Sequence, residues 1–154
     1  MEMILFRIAA VTTMMIAALP VHAGWETTQW GMSPDEALAA LESAVGHDPT
    51  PEEYYQEGGN SYAPLVTMPH GIDGIRGQVS LLFDSGNSLR SVLFNPDDIA
   101  ECDALHAAIT QQHGAPDAME PGWISIADWV VGADAIKLTN MASARICNLS
   151  YAPA

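Results

Sequence analysis

Basic residues are scarce in this chain of 154 residues, which carries five lysines and arginines against 19 aspartates and glutamates. The formal net charge is −14 at pH 7. A surface with this balance repels nucleic-acid phosphates and anionic membrane surfaces, both of which attract clusters of lysine and arginine. The composition therefore argues against a nucleic-acid partner. It leaves two alternatives, a surface whose acidity serves solubility and one that attracts a basic partner.

Cysteine is equally rare, since Cys102 and Cys147 are the only two in the sequence. They do not form the Cys-x-x-Cys pair of redox enzymes, and no further cysteines or histidines stand beside them at metal-ligand spacing. Two cysteines in an oxidising compartment usually pair with each other. The sequence therefore predicts a structural disulfide between Cys102 and Cys147.

Long apolar runs are also missing. A membrane-spanning helix needs about 20 consecutive apolar residues, and no stretch of the sequence is that long. The uncharged stretch at residues 8–19 is too short, and Pro20 breaks it. Val21 and Ala23 then supply small residues at positions −3 and −1 of a cleavage site before Gly24, as in a secretory signal peptide. We therefore predict that residues 1–23 are a cleaved signal peptide. Residues 24–154 would form one domain, periplasmic or secreted and without membrane insertion.

The clearest local signal in the remaining chain is the start of a helix. Ser33 precedes Pro34 and stands three residues before Glu36, which is the pattern of a capping box with proline at the first helical position. Apolar residues follow at helical spacing as far as Val45, and Gly46 ends the run. The pattern predicts a helix between Ser33 and Gly46.

A second helix is predicted in the later part of the chain. Either Asn95 or Asp98 can cap its start, since both residue types accept hydrogen bonds from free backbone amides. Apolar residues from Ile99 to Ile109 share one face, and Gly114 ends the helix.

Strand patterns surround these helices. Residues 77–83 and 88–94 flank the turn residues 84–87, which is the signature of a β-hairpin. Further strands are predicted at residues 25–30, 123–131, 135–141 and 145–151. Residues 46–64 are rich in proline, glycine, glutamate and tyrosine and lack a period, so they are predicted to be a long loop.

The order of these elements favours an α+β fold, in which an antiparallel sheet has two helices packed on one face. Both halves of the domain contain a capped helix followed by strands. Two tandem strand–helix–strands units are therefore one interpretation of the layout. A parallel doubly wound sheet would need helices alternating with single strands, and that alternation is absent.

The stretch Trp30-Gly31-Met32-Ser33-Pro34-Asp35-Glu36-Ala37-Leu38 resembles the strand-to-helix start of small exported bacterial proteins. These include proteins with the β-lactamase-inhibitor-like fold and the small lipoproteins of outer-membrane β-barrel assembly. The second helix departs from their pattern, because residues 95–98 replace a second Gly-x-Ser/Thr, and no lipid-attachment cysteine follows the apolar run. The resemblance implies a scaffold that binds or inhibits a partner rather than an enzyme.

Motifs for catalysis and metal binding are missing as well. The sequence has no Gly-x-Ser-x-Gly elbow, no His-Glu-x-x-His pair and no calcium loop. His106 and His113 stand about 10 Å apart along the second predicted helix, which is too far to share a metal ion without other ligands. We therefore predict no catalytic residue, no metal ligand and no cofactor. The alternative is a small periplasmic hydrolase or metal-dependent enzyme whose acids and histidines are assembled by folding.

The predicted loop contains the most distinctive group of surface residues, namely Glu52, Glu53, Tyr54, Tyr55 and Tyr62. Tyrosines give large contacts with a polar end, and glutamates suit a basic partner. These five residues are the predicted partner-binding candidates. The alternative is a mobile acidic loop whose tyrosines pack back on the sheet. The function that the sequence favours is an exported, non-enzymatic domain that binds a protein or peptide.

Overall fold

The computed structural model describes residues 23–154, so nearly all of the predicted signal peptide lies outside the described residues. The described chain forms two α-helices, α1 (Pro34–Ala40) and α2 (Cys102–His113), and nine strands. The strands are β1 (Val45–Gly46), β2 (Tyr55–Glu57), β3 (Asn60–Ile72), β4 (Ile75–Phe83), β5 (Leu89–Pro96), β6 (Ala118–Glu120), β7 (Ser125–Val131), β8 (Asp134–Met141) and β9 (Ile146–Pro153). This content confirms the predicted α+β class.

The strands pair antiparallel in the order β1-β3-β4-β5-β9-β8-β7-β6, and β2 pairs with β3 outside this path. Strands β3, β4 and β5 form one meander, which follows α1. Strands β7, β8 and β9 form a second meander, which follows α2. The two meanders join where β5 pairs with β9, with Val92 opposite Tyr151 and Phe94 opposite Leu149.

One face of the sheet carries the hydrophobic core, because successive side chains of a strand point to opposite faces. The helices contribute Ala37 and Leu41 from α1 and Leu105 and Ile109 from α2 to the same cluster of buried residues. The sheet contributes the alternate buried residues Val79, Leu81, Phe83, Val92, Phe94, Trp129, Ile136, Leu138 and Leu149. Both helices therefore pack on one face of the sheet, and the described helices leave the opposite face open.

Gly77 in β4 allows the core to close around Phe94. A Cβ atom at position 77 would lie 2.6 Å from the Phe94 ring and would also collide with the Asn95 carbonyl oxygen. The Phe94 ring therefore packs against the backbone of β4 at a position where the strand has no side chain.

The disulfide between Cys102 and Cys147 is present, as predicted, with the two Cα atoms 5.8 Å apart. It joins the first turn of α2 to strand β9, and both cysteines are buried. The bond thus fixes the second helix to the second meander.

The predicted strand at residues 25–30 is wrong, since this segment consists of turns. The Trp25 carbonyl accepts hydrogen bonds from both the amide and the hydroxyl of Thr28, at 2.9 and 2.6 Å. This local turn buries the Trp25 side chain in the core. Alternation of bulky and polar residues therefore does not indicate a strand here.

Helix α1 has the predicted capping box at Ser33 and Glu36 but is shorter than predicted. The Thr27 hydroxyl donates a 2.5 Å hydrogen bond to the Ala40 carbonyl, and the chain becomes extended at the next residue. Val45, placed on the helix by its spacing, lies in β1 instead and is 59% exposed. Contact with a distant turn, rather than the glycine, ends the helix.

The second helix and the turn of the β4–β5 hairpin agree closely with the sequence. Asp98 accepts a hydrogen bond from the Ala100 amide at 2.9 Å and so caps a short 3₁₀ turn that leads into α2, which ends before Gly114. The Asp84 carboxylate holds the predicted hairpin turn by accepting hydrogen bonds from the amides of Gly86 and Ser88. No helix within residues 23–154 is long and apolar enough to cross a membrane.

Two predictions in the second half need correction. Strand β6 was not predicted, because three exposed residues give too short a pattern to recognise. Strand β7 starts at Ser125, two residues later than predicted. Trp123, which the prediction placed at the start of this strand, is 75% exposed and precedes it.

Gly77→Ala should destabilise the protein by about 1–3 kcal/mol, because the added methyl group overpacks the Phe94 site. Gly46→Ala is the matched control. Gly46 also lies in a strand, but a Cβ there would have no neighbour within 4 Å. Urea unfolding monitored by circular dichroism measures both variants. Equal stability of the two would contradict this account of the core.

Replacing both cysteines by serine should lower the free energy of unfolding by about 2–4 kcal/mol, since the unfolded chain regains the freedom that the bond removes. Denaturant unfolding of the double variant against the oxidised protein measures the difference. Reducing the unaltered protein should produce a loss of similar size. A double variant as stable as the oxidised protein would show that the bond contributes nothing to stability.

Candidate functional site

The open face of the sheet presents polar side chains at the positions that alternate with the core. One continuous row crosses six strands through directly paired residues, namely Thr67, Ser80, Leu93, Ser150, Lys137 and Asp128. A second row adds Gln78 opposite Asn95. The amide and hydroxyl groups of these rows can each form hydrogen bonds with a ligand.

Residues 46–64, predicted as a loop, are more ordered than expected. They contain the end of β1, a 3₁₀ turn at Pro51–Glu53, strand β2 and the start of β3. Strand β3 pairs with β2 at its first residues and with β1 further along, and a register shift lies between Pro64 and Val66. Such a bulge bends a strand. The β2–β3 hairpin is therefore an extension of the sheet edge rather than a free loop.

The base of this extension is fixed by His47 and Glu53. The His47 amide donates to the Leu65 carbonyl at 2.8 Å, and Nε2 of its ring lies 2.8 Å from Oε1 of Glu53. The second oxygen of Glu53 accepts a 2.8 Å hydrogen bond from the Thr50 amide and thereby caps the 3₁₀ turn. The Thr50 amide, and then His47, lower the pKa of Glu53 below its usual value.

The tip of the β2–β3 hairpin reaches over the open face. Oε1 of Glu57 lies 3.9 Å from Nζ of Lys137, which belongs to strand β8 in the second meander. Gly58 and Gly59 form the turn with positive φ angles of 57° and 81°, which glycine adopts without strain. The Glu57–Lys137 contact therefore links the extension of the first meander to the second meander.

A groove of about 430 Å³ lies between the extension and the sheet. Tyr55 of the extension lines it, together with His47 and Glu53 at the base of the extension. The sheet lines it with Pro64, Thr67, Gln78, Ser80, Leu82, Leu93 and Asn95. Leucine and proline side chains form apolar parts of the wall, and amides and hydroxyls supply directed hydrogen bonds. This combination is typical of recognition sites in proteins.

The two adjacent tyrosines lie against different parts of the molecule. Tyr55 is half-buried and lines the groove, and burial raises its pKa, with a smaller effect from Glu57. Tyr54 is 39% exposed and instead borders a cleft beside the β4–β5 turn. Tyr62 pairs directly with Tyr55 across the hairpin. The hairpin pairing therefore fixes the backbone positions of Tyr55 and Tyr62.

Of the five predicted partner-binding residues, Tyr55 and Tyr62 lie on the extension, and Glu52, Glu53 and Tyr54 lie on the turn that leads into it. Only Glu53 and Tyr55 line the groove. Glu52 is exposed on the 3₁₀ turn. The sequence reasoning missed the polar rows of the sheet, especially Gln78, Asn95 and Lys137. Their alternation with core residues was visible in the sequence, although their assembly into rows required the strand order.

Within residues 23–154, no three histidine, cysteine, aspartate or glutamate side chains are placed to hold a metal ion together. The two histidines of α2 have separate surroundings. His106 packs beside the Trp129 ring, with 5.7 Å between ring centroids, and His113 lies at the end of the helix.

Comparison with known proteins finds no match: no family model, no curated protein and no solved structure is significantly similar to the chain. The resemblance of the α1 start to exported inhibitor-like and assembly proteins therefore stays a prediction.

The pKa of Glu53 gives a direct test of how the extension is fixed. A lowered pKa means that the ionised carboxylate stabilises the folded turn above the usual glutamate pKa of 4.5, and that this stabilisation is lost as the pH falls through the lowered value. In His47→Ala the pKa should rise but remain below 4.5, because the Thr50 amide still donates. A carboxyl NMR titration measures both, with Glu36 as the control, since its partner is Ser33. An unchanged Glu53 pKa in the variant would contradict the contact.

Proposed function

We propose that this chain is an exported, non-enzymatic domain that binds a protein or peptide partner on the open sheet face beneath the β2–β3 extension. The observation that carries the proposal is the groove between the extension and the sheet, with its mixed apolar and hydrogen-bonding wall. The groove leaves the helix-covered core undisturbed. A partner can therefore dock there without any change in the fold.

An extended segment of a partner matches the linear arrangement of polar side chains on this face. The rows of amides and hydroxyls run across the strands, so successive polar groups of a row are spaced as the strands are, about 4.8 Å apart. Tyr55 supplies a half-buried aromatic surface at one end, held in place before binding. Ordering of this side chain therefore costs little on association, which favours affinity.

A basic partner is the best match to the charge of the molecule. The formal net charge of the chain remains −14 after the predicted signal peptide is removed, because that peptide contains one acid, Glu2, and one base, Arg7. Glu52 is exposed on the 3₁₀ turn, next to Glu53, which lines the groove. Acidic groups at the rim of a site mainly accelerate encounter with a cationic partner.

Export of the protein is part of the same proposal. The amino-terminal pattern supports a cleaved signal peptide, and the Cys102–Cys147 disulfide supports an oxidising compartment, where such bonds persist. We further interpret the two segments in which a helix precedes a three-stranded meander as tandem units. Their mirrored placement around the β5–β9 pair supports this interpretation.

Site-specific photo-cross-linking in the producing cells tests the binding face. A photoreactive amino acid at Gln78, on the open face, should give a discrete adduct with a partner. The same amino acid at Ala107, which is exposed on the opposite side in α2, is the matched control and should give none. Adducts from Ala107 alone would place the binding surface elsewhere, and adducts from neither position would contradict the proposal.

Tyr55→Ala should reduce the yield of the Gln78 adduct at least about tenfold, as expected when a half-buried aromatic contact of an interface is removed. Tyr54→Ala should change the yield much less, because Tyr54 lies outside the groove. Quantitative immunoblotting of the adduct, with thermal melting of each purified variant, separates lost binding from lost folding. Equal effects of the two substitutions would contradict the assigned role of the groove.

A further inference from the structure

The groove beneath the β2–β3 extension has a single carboxylate in its wall. Among the described residues that line it, Glu53 is the only aspartate or glutamate, and its side chain is 43% exposed. His47 is the only lining residue that can become cationic. The groove therefore offers a cation from a partner an accessible opposite charge. The four lysines and arginines of residues 23–154 all lie outside the lining, namely Arg76, Arg90, Lys137 and Arg145.

The Glu53 carboxylate can accept further hydrogen bonds. One of its oxygens lies 2.8 Å from Nε2 of His47, and the other accepts a 2.8 Å hydrogen bond from the Thr50 amide. An ionised carboxylate has about four lone-pair sites, so about two remain for a ligand. The Thr50 amide, and then His47, hold the pKa of Glu53 below its usual value, so the group is ionised at neutral pH. A cation in the groove thus meets a charged acceptor whose position is already determined.

The rest of the wall distinguishes between cationic side chains. Tyr55 supplies a half-buried aromatic ring, and Gln78 and Asn95, which pair across β4 and β5, supply amide oxygens. A guanidinium group is planar, stacks on aromatic rings and donates hydrogen bonds in several directions at once, whereas an ammonium group is a compact and strongly hydrated charge. The mixed wall therefore suits arginine better than lysine.

Leucine side chains provide room for the aliphatic part of an arginine. Leu82 and Leu93 line the same groove, on the neighbouring strands β4 and β5. Arginine commonly lays its methylene groups along apolar surface while its charged end stays among polar groups.

We propose that the groove binds an arginine side chain of the partner, with its guanidinium group on Glu53 and against the Tyr55 ring. The methylene groups of this arginine lie along Leu82 and Leu93, and the amide oxygens of Gln78 and Asn95 accept its remaining donors. The inference rests on the proposed function and specifies the residue that the partner's extended segment must present.

Titration of the purified, disulfide-bonded protein with short peptides tests the proposal. The probe is an acetylated and amidated peptide Thr-Val-Arg-Val-Thr, whose β-branched residues favour an extended chain. Two matched peptides replace its arginine by lysine or by citrulline, which has the same shape but no charge. The arginine peptide should give saturable shifts of the Gln78 and Asn95 side-chain amide signals at concentrations up to about 10 mM. The citrulline peptide should bind at least about tenfold more weakly, and the lysine peptide should also bind more weakly.

Glu53→Gln should weaken binding of the arginine peptide at least about tenfold and should remove most of the preference for arginine over citrulline. Glu52→Gln is the matched control, because it removes the same charge from the same turn at a residue that does not line the groove. Cross-strand nuclear Overhauser contacts between Tyr55 and Tyr62 show whether the extension is intact in each variant. A merely structural role of Glu53 would weaken the arginine and citrulline peptides equally.

Equal binding of the arginine peptide and either matched peptide would overturn the inference while supporting a groove that binds peptides. Equal effects of the two glutamate variants would overturn it as well. No binding of the arginine peptide, together with a discrete adduct from the photoreactive group at Gln78, would overturn the arginine assignment and leave the proposed binding face standing. Failure of both experiments would overturn the inference and the proposed function together.

Discussion

The pairing of β5 with β9 is the interaction on which the rest of this molecule depends. Each meander alone has three main strands and one helix, which is little material for a core. Their junction makes one sheet whose buried face collects side chains from both meanders and both helices. The disulfide strengthens the same arrangement, since Cys147 lies in β9 and Cys102 in α2. One covered face and one open face follow directly from this single junction.

The open face gains its groove from an irregularity at the sheet edge. The bulge in β3 separates its pairing with β2 from its pairing with β1 and leaves the Leu65 carbonyl to accept a hydrogen bond from His47. The extension that results lies above the rows of polar side chains, and Glu57 approaches Lys137 on the far meander. Surface ion pairs contribute little stability. The β2–β3 pairing and the His47–Glu53 contact therefore determine where the extension lies. The Glu57–Lys137 contact is a consequence of that position.

Local chemistry in the sequence predicted the elements whose signals are local. The capping box at Ser33, the turn held by Asp84 and the end of α2 at Gly114 each involve neighbouring residues, and the structure contains all three. Features set by distant contacts were predicted wrongly, such as the end of α1, which depends on Thr27, and the extension, which depends on a bulge. The candidate residues were found because tyrosine and glutamate stand out in composition. The rows of polar side chains on the sheet could not be predicted, because they depend on which strands are neighbours.

The β2–β3 extension lies over the open face, and the single lysine of the chain gives a chemical test of that position. A carbodiimide joins an amine to a carboxylate only when the two are in contact. Treatment of the purified protein, followed by proteolysis and mass spectrometry, should give an amide bond between Lys137 and Glu57, which lie 3.9 Å apart. The cross-strand neighbour Asp128 is the internal reference, because it faces Lys137 whatever the extension does. Cross-links from Lys137 to Asp128 alone, with none to Glu57, would contradict the account.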